Sequence, residues 1–114
     1  MTDDRLRAHL EHLRHEAREA VRFVSGMDKD AFLANSVIQH AVSMCIVNIG
    51  EAATRIVDRH AGFAEAHPEV PWQDIRRMRN RVAHGYLDVN FDAVWIVTQR
   101  DIPALLEKLP PSPE

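Results

Sequence analysis

The sequence predicts an all-α fold, an up-and-down bundle of four to five helices. Three observations predict it. Apolar residues recur at three- and four-residue steps through most of the 114 residues, which is the period of a helix face. Only four glycines interrupt a chain rich in Ala, Leu, Arg and Glu. No stretch alternates apolar and polar residues as a half-buried strand does. The length suits one domain with a single core, expected over residues 1–109, with 110–114 as a disordered tail.

Each element can be justified in turn. Leu6, Leu10, Leu13, Ala17, Val21 and Val24 form one apolar stripe, so residues 4–24 predict an amphipathic helix with Asp3 or Asp4 at its start. Gly26 ends it, and Asp28 or Asp30 can cap the next. A short helix over about 29–35 and a long one over about 36–60 follow, with the break at Ala34-Asn35-Ser36. Gly62 and His67-Pro68-Glu69-Val70-Pro71 predict a loop. Pro71 suits the first turn of a helix running to His84, where Gly85 stands ready as a left-handed C-terminal residue. Asn90 can cap a last helix whose inner face carries Phe91, Val94, Trp95, Ile102, Leu105 and Leu106. Pro103 should kink or restart it.

Composition excludes several classes. Hydrophobic residues make up 46% and charged residues 27%, the balance of a water-soluble domain, and no apolar run is long enough for a membrane span. Met1-Thr2-Asp3-Asp4-Arg5 is acidic and lacks an apolar run, so no signal peptide is expected. Cys45 is the only cysteine, so no internal disulfide can form, and the expected compartment is a reducing cytoplasm. The net charge of −3 argues against a protein coated in nucleic-acid-binding charge. Locally the sign reverses: Arg76, Arg77, Arg79 and Arg81 cluster within six residues.

That cluster leads into Arg79-Asn80-Arg81-Val82-Ala83-His84-Gly85-Tyr86. On a straight helix five residues advance about 500°, which leaves Arg79 and His84 roughly 140° apart. Asn80 and His84 share a face, and Arg77 lies one turn further back on it. A site using both Arg79 and His84 therefore needs a helix that ends before His84, as Gly85 suggests, or a second copy of the chain. An isologous dimer would bring two Arg79 and two His84 residues into one cleft and double the arginine cluster.

The residue types suit phosphodiester chemistry. Arginine grips phosphate through paired charge-assisted hydrogen bonds and stabilises charge developing on it. Histidine titrates near neutrality and can move a proton from a ribose 2′-hydroxyl or to a leaving oxygen. Asn80 can orient either group, and Arg76, Arg77 and Arg81 can guide an RNA backbone. No carboxylate cluster or close His/Cys set accompanies them, so a metal-independent reaction without cofactor is expected. The same residues also suit a solvated Arg-rich face on which His84 only caps the helix C-terminus.

The string Arg-Asn-Arg-Val-Ala-His-Gly-Tyr resembles the Arg-x4-His-x-Tyr signature of HepT-like proteins, a branch of the HEPN superfamily. Asn48-Ile49-Gly50-Glu51-Ala52-Ala53 is similar to that family's Ile-Gly-Glu-Ala stretch, and Val70-Pro71-Trp72-Gln73-Asp74-Ile75 to the start of its motif helix. Val89-Asn90-Phe91-Asp92-Ala93-Val94-Trp95 resembles the run that follows, with Asn90 where aspartate is common. The four blocks lie between residues 48 and 95 and follow the family's order. The resemblance implies a HEPN-like helical homodimer acting as a metal-independent RNase toxin on tRNA or mRNA. It implies Arg79 and His84 as the catalytic pair, with Asn80 as the polar residue beside the arginine. A minimal nucleotidyltransferase antitoxin would silence the toxin, using ATP to attach AMP to Tyr86. A phosphate beside Arg79 and His84 would occupy the anion site and block RNA.

Two other readings of the same residues remain open here. One is a catalytically inactive dimer that presents Tyr86 and the arginines to a nucleotidyltransferase. The other is a structural dimerisation domain in which Arg79 and His84 point apart.

Glu51 lies on an otherwise apolar face and needs a partner, for which an arginine of the motif helix is the candidate. Gly50 suits close helix packing. His9, His12 and His15 do not complete a metal-binding pattern and are expected on a solvated face, so no metal site is expected. Trp72 and Trp95 read as core or interface anchors, Cys45 as inert packing, and Tyr86 as the exposed aromatic.

Overall fold

The computed structural model describes residues 3–85 and 88–112, and the fold is all-α. Helix α1 spans Asp4–Phe23, α2 Lys29–Leu33, α3 Ser36–Arg59, α4 Ala61–Ala66, α5 Trp72–His84 and α6 Phe91–Ile96. A π-helical turn, Val97–Asp101, then leads into α7, Ile102–Lys108.

Short polar side chains start most of these helices by binding amides that would otherwise lack partners. Asp3 accepts from the Arg5 and Leu6 amides at 3.1 Å. Asp28 accepts from Ala31, Asn35 from Ile38, and Asn90 from Asp92 and Ala93. Gly26 follows α1 with φ 78°, a left-handed geometry that a β-carbon would strain.

Helix α3 is the centre of the bundle, packed against α1 on one side and α5 on another. His9 lies against His60, and Asn48 donates to Glu16, so α1 and α3 run antiparallel. Arg79 packs on Gly50 while Arg76 faces Asp58, so α3 and α5 are antiparallel too. The core joins Leu10, Leu13 and Ala17 of α1 with Ile46, Ile49 and Ile56 of α3, all fully buried. Ile75 and Val82 of α5 and Ile102 and Leu105 of α7 close it. Each large side chain in this set contributes about 1.5–3 kcal/mol relative to exposure.

Four local features differ from the sequence expectation. Residues Ala61–Ala66, expected as loop around Gly62, form α4. The Phe63 and Ala64 amides bond back to the His60 carbonyl, and the Trp72 indole donates to the Ala64 and His67 carbonyls. That anchoring outweighs the roughly 1 kcal/mol that a helical glycine costs. Pro71 stands just before α5 rather than in its first turn.

Gly85 is not left-handed: its φ is −112°, and its amide continues the helical pattern to Arg81 O. Its need for glycine is steric, because a β-carbon there would come within 2.9 Å of that oxygen. Finally, residues 110–112 are not frayed. Pro110 is buried, its carbonyl accepts from Arg14, and Arg14 Nη1 lies 3.3 Å from Ser112 Oγ. Pro103 does restart the last helix, standing in the first turn of α7 after the π-helical turn. No helix among the described residues is long and apolar enough to cross a membrane.

Candidate active site

The site is built where α5 crosses α3. A β-carbon on Gly50 would land inside the van der Waals radii of Arg79 Cβ and Cγ, so only glycine lets the two backbones approach this closely. The Arg79 stem therefore lies on α3, and its guanidinium emerges beside Glu51, the next residue. Arg79 Nη2 donates to Glu51 Oε1, and Nη1 donates to Asn80 Oδ1 at 2.8 Å. Arg79 Nε is buried without a partner among the described residues. The pair is half-buried, with side-chain exposures of 27% for Arg79 and 34% for Glu51, so a ligand can reach the guanidinium edge.

The remaining arginines are less concentrated than the sequence suggests. Arg77 pairs with Asp74 at 2.6 Å, and Arg76 lies 3.9 Å from Asp58. With Glu51 on Arg79, three of the four guanidiniums face carboxylates. Arg81 has no such partner among the described residues. A single chain thus carries little net positive charge here.

His84 is exposed in the last turn of α5. The helix runs unbroken from Trp72 through His84, as its pattern predicts, so of the two ways to join Arg79 and His84 an early helix end does not apply. Arg79 and His84 stay roughly 140° apart around one axis, and one chain does not bring them together. Asn80 and His84, at i and i+4, do share the outer face. Tyr86 lies outside the described residues.

Two other candidates are placed in the packed interior. His9 is not on a solvated face: its Nε2 is buried, and its ring stands 6.0 Å from that of His60. The neighbour comes from the far end of α3, which spacing within α1 could not reveal. His12 and His15 are exposed. The Cys45 thiol is buried and pushed up to about 12 by desolvation, so it stays protonated and inert. Among the described residues no group of three or more His, Cys, Asp or Glu side chains is placed to hold a metal ion.

The fold is all-α, and the Arg79–His84 segment lies on a helix that packs on Gly50 and Glu51. Residues 13–111 match the family model described as "Ribonuclease HepT-like". The chain is 32% identical over 106 residues to "Probable ribonuclease HepT" of Thermococcus cleftensis, covering 90% of this chain and 93% of that one. It is 31% identical over 99 residues to "Putative RNase TTE0752" of Caldanaerobacter subterraneus, covering 87% and 86%. No solved structure matches it. The chain belongs to the HepT-like ribonuclease family, and ribonuclease is the class of activity this membership supports.

Proposed function

We propose that this chain is the toxin half of a toxin–antitoxin pair, a metal-independent endoribonuclease that works in the cytoplasm as a homodimer. The observation that carries the reading is the division of α5. Arg79 is held on α3 by Gly50 and Glu51, while His84 faces outward on the same unbroken helix. Neither can serve the other within one chain, and an isologous partner supplies the missing half on each side. Val37, Met44 and Glu51 follow one another at seven-residue steps on α3. The first two are exposed apolar side chains in line with the site, and burying them favours a second copy.

In this mechanism Arg79 binds the scissile phosphate and stabilises the charge that develops on it, with Glu51 and Asn80 setting its orientation. His84 takes the proton from the ribose 2′-hydroxyl or gives one to the leaving oxygen. Arg76, Arg77 and Arg81 attract the RNA backbone. A nucleotidyltransferase antitoxin, the only consumer of ATP, transfers AMP from ATP to the Tyr86 hydroxyl oxygen with release of pyrophosphate, and the added phosphate competes with RNA for Arg79.

Purified, unmodified protein should cut RNA in the presence of a chelator. His84→Ala should lower that rate on the order of a hundred- to ten-thousand-fold while leaving the protein folded. An unchanged rate in folded His84→Ala would remove His84 from the mechanism. Chelator-resistant inactivity of the unmodified chain would instead favour the reading in which it only presents Tyr86 to its partner.

A further inference from the structure

A second feature of the molecule lies away from Arg79. It is an open groove of about 400 Å³ between α5 and the π-helical turn with α7. Its floor is apolar, made by Ile75, Met78, Ile102 and Leu105. Its walls are basic: Arg77 and Arg81 on α5, Arg100 and Lys108 across from them. Asp74 and Asp101 are the only acidic lining residues, each bound to a neighbouring arginine, Arg77 and Arg100 respectively. Four cations against two carboxylates leave the groove two charges positive in a chain whose net charge is −3. Arg81 and Lys108 have no ion pair among the described residues, so their charge is available to a ligand.

We propose that this groove binds a single strand of RNA, with phosphates on Arg81, Lys108 and Arg100 and a base on the apolar floor. The inference rests on the ribonuclease reading and adds the path of the substrate. Arg77 and Arg81 are about 6 Å apart along α5, and Arg100 and Lys108 about 12 Å apart on the opposite wall. That spread suits an extended backbone better than one compact anion. His84 follows Arg81 by three residues on nearly the same side of α5, so a strand leaving the groove passes the proposed proton donor. An apolar floor between cations fits bases that stack or pack while their phosphates are neutralised at the rims.

The test uses the full chain carrying His84→Ala, so that RNA is held without being cut. Binding of a fluorescent unstructured eight-nucleotide RNA is measured over a range of salt concentrations. Adding Arg100→Ala and Lys108→Ala should weaken binding at least tenfold at low salt. The slope of log affinity against log salt should fall by about 0.7 for each cation removed. Arg18→Glu, an exposed change on α1 that matches the double variant's change in charge, should leave binding near the parent value. Equal binding by parent and double variant would overturn the groove while leaving the ribonuclease reading intact. So would equal weakening by Arg18→Glu. RNA binding by neither parent nor variant would overturn both. Binding of an acidic peptide in place of RNA, lost in the double variant, would reassign the groove to a protein partner.

Discussion

Arg79 owes its position to a neighbour without a side chain. Because Gly50 lets the α5 backbone rest on α3, Gly50→Ala must push the helices apart or swing Arg79 away from Glu51. Overpacking of this kind costs about 1–3 kcal/mol, so chemical denaturation should show a loss of that size. RNA cleavage should fall further than the stability loss alone explains. Arg79→Lys tests geometry rather than charge. Lysine keeps the positive charge but cannot hold Glu51, Asn80 and a phosphate through one planar fork. Cleavage should drop on the order of a hundredfold or more with little change in unfolding midpoint. At this scale much was readable in the sequence, since a lone glutamate on an apolar face demanded a cation and a neighbouring glycine suggested close packing. What could not be read was that Asp58 also engages an arginine, because it comes from another helix.

Among the elements, helix starts were the most legible, because Asp3, Asp28, Asn35 and Asn90 each perform the capping their chemistry favours. Helix ends were less so. Gly85 looked like a left-handed terminator, yet it is required by the proximity of Arg81 O, a contact that no spacing rule encodes. The α4 turn was likewise hidden, since its stability comes from Trp72 in the following element.

The seam between α1 and α3 carries a pH prediction. Burial, then the positive charges of Arg55, His60 and Arg59, lower the pKa of His9 below its ordinary value of 6.5, against an opposing pull from Asp3. The unfolded chain then binds this proton more readily than the folded one. The stability contribution of neutral His9 is therefore fully present above about pH 6.5 and is lost as the pH falls towards the lowered folded value. Asp3, whose carboxyl is lowered first by its bond to the Leu6 amide, adds a loss in the same direction at more acid pH, below its ordinary 3.8. Thermal unfolding across pH 5 to 8 should show the first decline, and His9→Gln should flatten it. A slope that is identical in the two proteins would contradict this account of His9.

At the scale of the whole molecule, bulk charge and local charge have different consequences. A net charge of −3 keeps the surface from attracting nucleic acid generally, so RNA binding has to arise at defined places. The all-α class followed from periodicity because each helix has one apolar stripe and the bundle buries all of them together. The proposed dimer has a fainter trace: Val37 is 74% exposed and Met44 57%, but a single sequence cannot distinguish an interface stripe from scattered surface residues. Met44→Asp with Val37→Asp should therefore yield folded monomers in analytical ultracentrifugation and abolish cleavage together with the dimer.

The central claim is that Arg79 of one copy works with His84 of another, and subunit mixing tests it most directly. Arg79→Ala and His84→Ala proteins are each expected to be inactive on RNA. Mixed in equal amounts and allowed to exchange, half of the dimers would pair the two variants, and each would hold one intact site. About a quarter of the wild-type cleavage rate should return. A mixture that exchanges subunits yet stays as inactive as its parents would contradict a site shared between copies.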